Sequence, residues 1–264
     1  MKKYLVIGNP IEHSLSPNLH NFWIKKNNIN AHYDKKLIEE VDIKGIISEV
    51  KKGIIDGINV TVPFKKSIIP FIDELSQEAN KTQSVNTIYK KNNKIVGHNT
   101  DTAGFELGLK SINFNMKDKK VFILGAGGVV SSIILALKKM GVLKIFLSNR
   151  TKKRAENLKE IYSDLQIIEW GKTCDFDVII NATSVGLKKN EEIKIDYANI
   201  GSNKLFYDVV YNPSQTKFLL EAKKLGNQIE NGKMMFIYQA LQAFVIWHKV
   251  RPVIDEETIK LLDQ

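Results

Sequence analysis

The stretch Lys120-Val121-Phe122-Ile123-Leu124-Gly125-Ala126-Gly127-Gly128 limits the folds open to this chain more than any other. An unbroken apolar run of this length reads as a strand buried on both faces. The glycines allow a tight turn, and Val130, Ile133, Ile134, Leu137 and Met140 then recur at helical spacing. Strand, glycine turn and helix open a doubly wound α/β unit. In that unit backbone N–H groups and a helix N-terminus receive a pyrophosphate. Gly125, Ala126, Gly127 and Gly128 are therefore candidate cofactor-binding residues. Val130 stands where a third small residue is usual, which predicts looser packing of helix on strand.

The next strand, over 144–148, discriminates between dinucleotides. It runs into Asn149-Arg150-Thr151-Lys152-Lys153-Arg154, which holds cations and no acid. A carboxylate at this place would hold the ribose 2′-hydroxyl of NAD. Arg150 and Arg154 would instead pair with a 2′-phosphate, so the expected cofactor is NADP. A basic first helical turn opposes the helix dipole and needs some such reason.

The preceding half of the chain reads as further strands and helices. A strand over 4–8 leads into His13-Ser14-Leu15-Ser16-Pro17. Ser16 before Pro17 reads as an N-cap, yet both serines also lie where open α/β sheets bind ligands. A strand over 32–38 and a helix over 42–51 follow. Then comes Gly57-Ile58-Asn59-Val60-Thr61-Val62-Pro63-Phe64-Lys65, with Ile54 and Ile55 ahead of it. Asn59, Thr61 and Lys65 put an amide, a hydroxyl and an amine at a strand end that Pro63 terminates. That is either a clamp for a polyhydroxylated or carboxylated ligand, or a strand, a proline turn and a solvated lysine. The spacing predicts a helix over 67–75. Strands over 85–89 and 94–96 pair across Asn92-Asn93, and Asn86 lies on the first arm. Asn99-Thr100-Asp101 precedes a helical pattern, and Asp101 or Thr100 reads equally well as its cap.

In the second half, strands over 176–180 and 205–210 lead into Asn181-Ala182-Thr183-Ser184 and Tyr211-Asn212-Pro213. A helix is expected over 216–225. A longer one opens at Asn231-Gly232-Lys233 and runs to about 248, with Gln239 polar inside its apolar pattern.

Composition excludes several classes. With 264 residues, 43% hydrophobic and 26% charged, the chain suits one large or two ordinary globular domains. Its longest apolar stretch, 121–130, is far short of a membrane span. The apolar start breaks at Asn9-Pro10, too early for a signal-peptide core. One cysteine, Cys174, allows no intrachain disulfide or thiolate cluster, and no His/Cys/carboxylate group has ligand spacing. The expectation is a soluble cytoplasmic protein with no membrane partner and no metal. The net charge of +10 invites a nucleic-acid reading. However, the lysines are dispersed and do not interleave with aromatics, so the expected partners are anionic small molecules.

Taken in order, these segments resemble the shikimate dehydrogenase family over nearly the whole chain. The motifs are His13-Ser14-Leu15-Ser16-Pro17 with His20-Asn21, Asn59 to Lys65, Ser84-Val85-Asn86-Thr87, Asn99-Thr100-Asp101, Gly125 to Gly128, Asn149-Arg150-Thr151 with Arg154, Asn181-Ala182-Thr183-Ser184 and Gln239-Ala240. The resemblance implies an α/β fold of two domains. A substrate domain would take 1–102 plus 236–264, with the C-terminal helices packing back on it. A Rossmann-type NADP domain would take 103–235. It implies a reversible, NADP-dependent reduction of 3-dehydroshikimate to shikimate, on the route to chorismate and the aromatic amino acids. Lys65 and Asp101 would be the catalytic pair. Ser14 and Ser16 would hold the carboxylate. Thr61, Asn86, Asp101 and Gln239 would bind hydroxyls, with Tyr211 nearby. The cofactor would meet Gly125, Ala126, Gly127, Gly128, Asn149, Arg150, Thr151, Arg154, Thr183 and Gly232. A cis Val62–Pro63 bond and a monomer or homodimer are also expected. Two alternatives stand beside this reading: a quinate/shikimate dehydrogenase of broader cofactor use, and a non-catalytic sensor, which would be expected to lack Lys65, Asp101 or the glycine loop.

Overall fold

The computed structural model describes residues 1–188, 191–193, 195, 197 and 200–263. The chain forms two compact units, one of residues 1–104 and 237–264, the other of residues 105–236.

The first unit is built on β1 (Lys2–Gly8), α1 (Ser16–Lys26), β2 (Ala31–Leu37), α2 (Ile43–Lys52), β3 (Gly57–Val60), β4 (Glu74–Leu75), α3 (Gln77–Thr82), β5 (Thr87–Lys91), β6 (Lys94–His98) and the start of α4 (Asp101–Ser111). Its sheet has the order β2-β1-β3-β5-β6-β4 among the described residues. β3 runs parallel to β1, with Val60 opposite Ile7, and antiparallel to β5, with Asn59 opposite Thr87. β5 and β6 form a hairpin in which Thr87 faces His98. Asn92 and Asn93 take left-handed φ values of 49° and 65° at its turn, a region short amide side chains tolerate. This register gathers the C-terminal ends of β1, β3 and β6 and the N-terminal end of β5 at one sheet edge. Leu5, Ile7, Ile58, Val60 and Ile88 fill the core behind it with Ile43, Ile46, Ile47 and Val50 of α2.

The expected helix over 67–75 is absent. Pro70 lacks an N–H and restricts Ile69 before it, so only a 3₁₀ turn forms over Ile69–Phe71, followed by β4. The unforeseen α3 begins at Ser76, whose hydroxyl accepts the Ala79 N–H at 3.1 Å. Ser16 is not an N-cap either. It is the first residue of α1, and Leu15 before it supplies no side-chain cap.

The second unit continues with β7 (Lys120–Leu124), α5 (Val130–Lys139), β8 (Lys144–Ser148), α6 (Lys152–Ile161), β9 (Gln166–Ile167), β10 (Val178–Asn181), β11 (Leu205–Asp208), α7 (Lys217–Lys224), β12 (Gln228–Asn231) and the start of α8 (Lys233–His248). Its strands pair in parallel in the order β12-β11-β10-β7-β8-β9, the doubly wound arrangement the glycine turn predicts. Val130 does not loosen it. The side chain is wholly buried in a core with Val121, Ile123, Ile133 and Val178. The short β9 and β12 went unread because neither carries an apolar run.

The later part of α8 and α9 (Glu256–Lys260) return to the first unit. Trp247 donates its indole N–H to the Ile88 carbonyl at 3.2 Å. A Cβ on Gly57 would stand 2.5 Å from that indole nitrogen, which is why β3 opens on glycine. Lys26 of α1 reaches Asp255 at 2.7 Å, and Asp255 also caps α9. No helix of the described residues is long and apolar enough to cross a membrane.

Candidate active site

The edge of the first sheet holds a buried ion pair. Lys65 follows β3 through a turn that starts at the cis Val62–Pro63 bond. Its Nζ donates to Asp101 Oδ2 at 2.5 Å, and the two side chains are only 12% and 6% exposed. A short charge-assisted bond of this kind is among the stronger ones a protein makes. The Lys65 backbone is fixed as well, since its carbonyl accepts the Val85 N–H at 2.8 Å.

Asp101 is the first residue of α4 but does not serve as its cap. Asn99 takes that duty by accepting the Thr102 N–H at 3.1 Å. The other carboxylate oxygen of Asp101 is aimed by Asn86, whose Nδ2 donates to Oδ1 at 2.8 Å and to Thr100 Oγ1 at 2.9 Å. Asn86 cannot flip, because its Oδ1 accepts the Thr100 backbone N–H at 2.8 Å. Asn86 and Asp101 are 2% and 4% exposed, so both are fixed inside the protein edge.

A second chain of hydrogen bonds joins this cluster to the loop after β1. Asn59 donates to the Asn86 carbonyl at 3.0 Å and to Thr87 Oγ1 at 3.1 Å. Its Oδ1 accepts from the Tyr33 hydroxyl at 2.7 Å, and Tyr33 also bonds Ser16. The ring of Tyr33 stacks on His20, with centroids 4.2 Å apart and planes 4° apart. Burial pushes the His20 imidazole down to about 3, so this ring is neutral. Ser14 lies beside the loop's end, its Oγ accepting the Ser16 N–H at 3.4 Å. Thr61 continues β3, its N–H on the Ile7 carbonyl at 2.9 Å.

The structure thus brings Ser14, Ser16, Thr61, Lys65, Asn86 and Asp101 to one edge. The sequence offers Asn59 as one arm of a ligand clamp or as an ordinary strand residue. Instead it is an internal strut. Tyr33 lies in none of the motifs, and Thr87 and Thr100 lie in motifs without a binding role, because nothing in their local sequence marks a hydroxyl that a sheet register will bury. Gln239 is half-buried on α8. Tyr211 lies in the second unit beyond β11, stacked on Phe236 at 4.6 Å, and burial pushes its phenol up to about 12.

The second unit presents the glycine turn after β7. Gly125 has φ of +111°, and a Cβ there would meet the Ala182 carbonyl oxygen at 2.8 Å. Gly127 differs: a Cβ on it would find nothing closer than 4.0 Å. Its bareness answers no need of the chain's own packing, which fits a backbone that must admit a ligand. α5 starts without a side-chain cap, and its Val130 and Ser132 N–H groups turn back on the Gly127 and Val129 carbonyls at 3.1 Å each, so what the helix end offers an anion is its dipole. The Asn149 amide oxygen accepts the Ala126 N–H at 3.0 Å, tying the turn to the end of β8. Beyond it Arg150, Thr151 and Arg154 are exposed, and neither arginine forms an ion pair among the described residues. Thr183 hydrogen-bonds Asn181 at 2.7 Å. Gly232 has an internal reason, since a Cβ would strike the Val209 carbonyl at 2.1 Å. These residues fit a phosphorylated dinucleotide: a bare turn, an uncapped helix end and two unpaired guanidinium groups.

Comparison with known proteins adds the family. A family model described as shikimate dehydrogenase substrate binding domain matches residues 6–88, and one described as shikimate / quinate 5-dehydrogenase matches residues 106–209. The chain is 60% identical to a shikimate dehydrogenase (NADP(+)) of Pelagibacter ubique, over 99% of both proteins. It superposes on the crystal structure of shikimate dehydrogenase from Aquifex aeolicus with a TM-score of 0.90, at 35% identity, covering 99% of this chain and 97% of that one. The Thermus thermophilus enzyme in complex with NADP(H) and shikimate gives a TM-score of 0.90 at 30% identity, covering 100% and 98%.

Proposed function

The chain belongs to the shikimate dehydrogenase family, and on that premise we propose that it interconverts 3-dehydroshikimate and shikimate with NADP. The observation that carries this reading is the Lys65–Asp101 pair, 2.5 Å apart and nearly buried at a sheet edge lined with hydroxyls and amides. NADPH, when bound, supplies the hydride for the C3 carbonyl carbon. As negative charge grows on the carbonyl oxygen, Lys65 donates a proton from Nζ: an N–H bond breaks, an O–H bond forms, and the amine is left neutral. In the reverse direction the neutral amine takes the proton of the hydroxyl being oxidised. Asp101 holds Nζ on the reacting oxygen, and Asn86 holds Asp101. Acid–base assistance of this kind is worth roughly 10²–10⁴-fold.

Ser14 and Ser16 hold the substrate carboxylate in this scheme. Thr61, Asn86 and Gln239 meet the ring hydroxyls. The turn Gly125, Ala126, Gly127, Gly128 and the start of α5 receive the pyrophosphate. Arg150 and Arg154 clamp the 2′-phosphate, with Asn149 and Thr151 beside them and Thr183 and Gly232 lining the same site.

The test is absorbance at the nicotinamide band with purified protein, shikimate and NADP, repeated with NAD and with quinate. Shikimate-dependent NADPH formation, much slower with NAD or quinate, is the expected result. Similar efficiency with quinate or NAD moves the reading to the broader-specificity enzyme. Saturable shikimate binding without turnover leaves only a sensor.

A further inference from the structure

The second unit contains a buried carboxylate that this mechanism does not use. Asp208 ends β11 and is fully buried. It faces neutral donors rather than a cation. Thr216 Oγ1 donates to its Oδ2 at 2.5 Å, and the Val210 N–H and Asn181 Nδ2 donate to its Oδ1 at 2.9 Å each. Asn181 and Asp208 are opposite one another in the β10–β11 register, so the pairing of the strands delivers this contact.

Asn181 passes the restraint on. It too is fully buried, and its Oδ1 accepts the Thr183 N–H at 3.0 Å and the Thr183 hydroxyl at 2.7 Å. The backbone N–H of Thr183 fixes which end of the amide is oxygen, so Nδ2 must face Asp208 and the Val185 carbonyl, to which it donates at 3.0 Å. Thr183 Oγ1 in turn accepts the Val185 N–H at 3.1 Å. The backbone of the loop is pinned at its start by the Ala182 N–H on the Leu124 carbonyl at 2.8 Å, and its side chains from Asn181 to Thr183 hang from this carboxylate. The same loop forms one wall of the glycine turn: a Cβ on Gly125 would stand 2.8 Å from the Ala182 oxygen and 3.0 Å from Thr183 Cγ2. A site's geometry depends on such supporting bonds as much as on its contacting groups.

We propose that Asp208 is a positioning residue of the dinucleotide site, acting through Asn181 to hold Thr183 against the turn at Gly125. The proposal rests on reading that turn as the NADP site. Burial pushes the Asp208 carboxyl up to about 6. Its supporting role survives protonation, because Oδ1 stays an acceptor while a protonated Oδ2 donates to Thr216. An asparagine at this place would do the same, its oxygen replacing Oδ1 and its Nδ2 donating to Thr216 Oγ1.

The experiment is calorimetric measurement of NADP and shikimate dissociation constants on the full chain, with thermal unfolding as a check on folding. Asp208→Ala is expected to weaken NADP about tenfold, the loss that follows when buried donors are left unpaired. Shikimate affinity, seated on the other unit, is expected to stay within twofold. Asp208→Asn is expected to restore NADP affinity to within about threefold of wild type, and Asn181→Ala to reproduce the Asp208→Ala loss with the carboxylate still present. NADP affinity within twofold of wild type in a folded Asp208→Ala or Asn181→Ala protein overturns the proposal. So does an Asp208→Asn protein as weak as Asp208→Ala. A wild-type chain that fails to bind NADP removes the premise instead, a result separate from either variant's.

Discussion

Each unit carries a buried aspartate at the end of its sheet, oriented by a buried asparagine: Asp101 by Asn86 at 2.8 Å, Asp208 by Asn181 at 2.9 Å. The two differ in what faces the second oxygen. For Asp101 it is an ammonium group, for Asp208 a threonine hydroxyl. The cation compensates the charge of Asp101 and, in the proposed mechanism, gives the pair a proton that can move. Without one, Asp208 is driven toward its neutral form, and the same architecture becomes a brace. A buried carboxylate is thus not a catalytic group by burial alone; the partner on its second oxygen decides.

The largest effect expected from that contrast is at Lys65. Lys65→Met keeps much of the stem but puts Asp101 in the position of Asp208, buried with neutral donors only. Turnover is expected to fall about 10³-fold, within the range for acid–base groups, while NADP affinity stays within twofold. Stopped-flow hydride transfer and NADP titration separate the two. Turnover within tenfold of wild type would mean that Lys65 is not the proton donor.

How much of this contrast the sequence reveals follows from distance along the chain. β7, its glycine turn and α5 are legible because contiguous residues carry the whole signal. Ser67 to Leu75 is misread because a single proline outweighs helical spacing. At the sheet edge, local residues suggest a clamp of Asn59, Thr61 and Lys65, and offer Asp101 as a mere cap. The pairing of Lys65 with Asp101 spans 36 positions and depends on β3 lying beside β5 and β5 beside β6. Only the family resemblance supplied it in advance. Asp208 carries no local signal. It is one acid at the end of an apolar strand, and its side-chain partners lie 27 residues back and 8 ahead. Nothing in Leu205-Phe206-Tyr207-Asp208 says which strand will lie alongside.

The two asparagines offer the next sharpest test. Asn86→Ala releases Asp101 on the reacting side, so turnover is expected to fall about 10²-fold, a loss of the size that misplacement of a reacting group produces. NADP affinity should hold. Asn181→Ala should show the reverse, a weakened NADP complex and turnover near wild type once NADP saturates. Steady-state kinetics at saturating and limiting NADP reads both. Indistinguishable profiles for the two variants would dissolve the contrast between a reacting aspartate and a bracing one.

The smallest effect is on stability, and it isolates the missing cation. Asp208 has its carboxyl raised from 3.8 to about 6, chiefly by burial. Between about pH 4 and 6 the folded chain therefore keeps a proton that the unfolded chain has released. Stability from this group is complete below pH 4 and is lost as pH rises through 6. The loss is about 3 kcal/mol, set by the size of the shift. Asp208→Asn has no proton to lose and keeps the same partners, its Nδ2 donating to Thr216 Oγ1 as the protonated carboxyl does. It should match wild type near pH 4 and exceed it by about 3 kcal/mol at pH 7.5. Glu230 on the neighbouring β12 is also raised by burial and adds a slope of the same sign, but it is present in both proteins and cancels in their difference. Denaturant unfolding of wild type and variant across this range gives that difference directly. If it grows with pH, the neutral setting of Asp208 is what separates it from Asp101. If it is flat, the carboxylate is compensated in the folded chain by something other than the three donors that face it, and the two aspartates are more alike than their partners suggest.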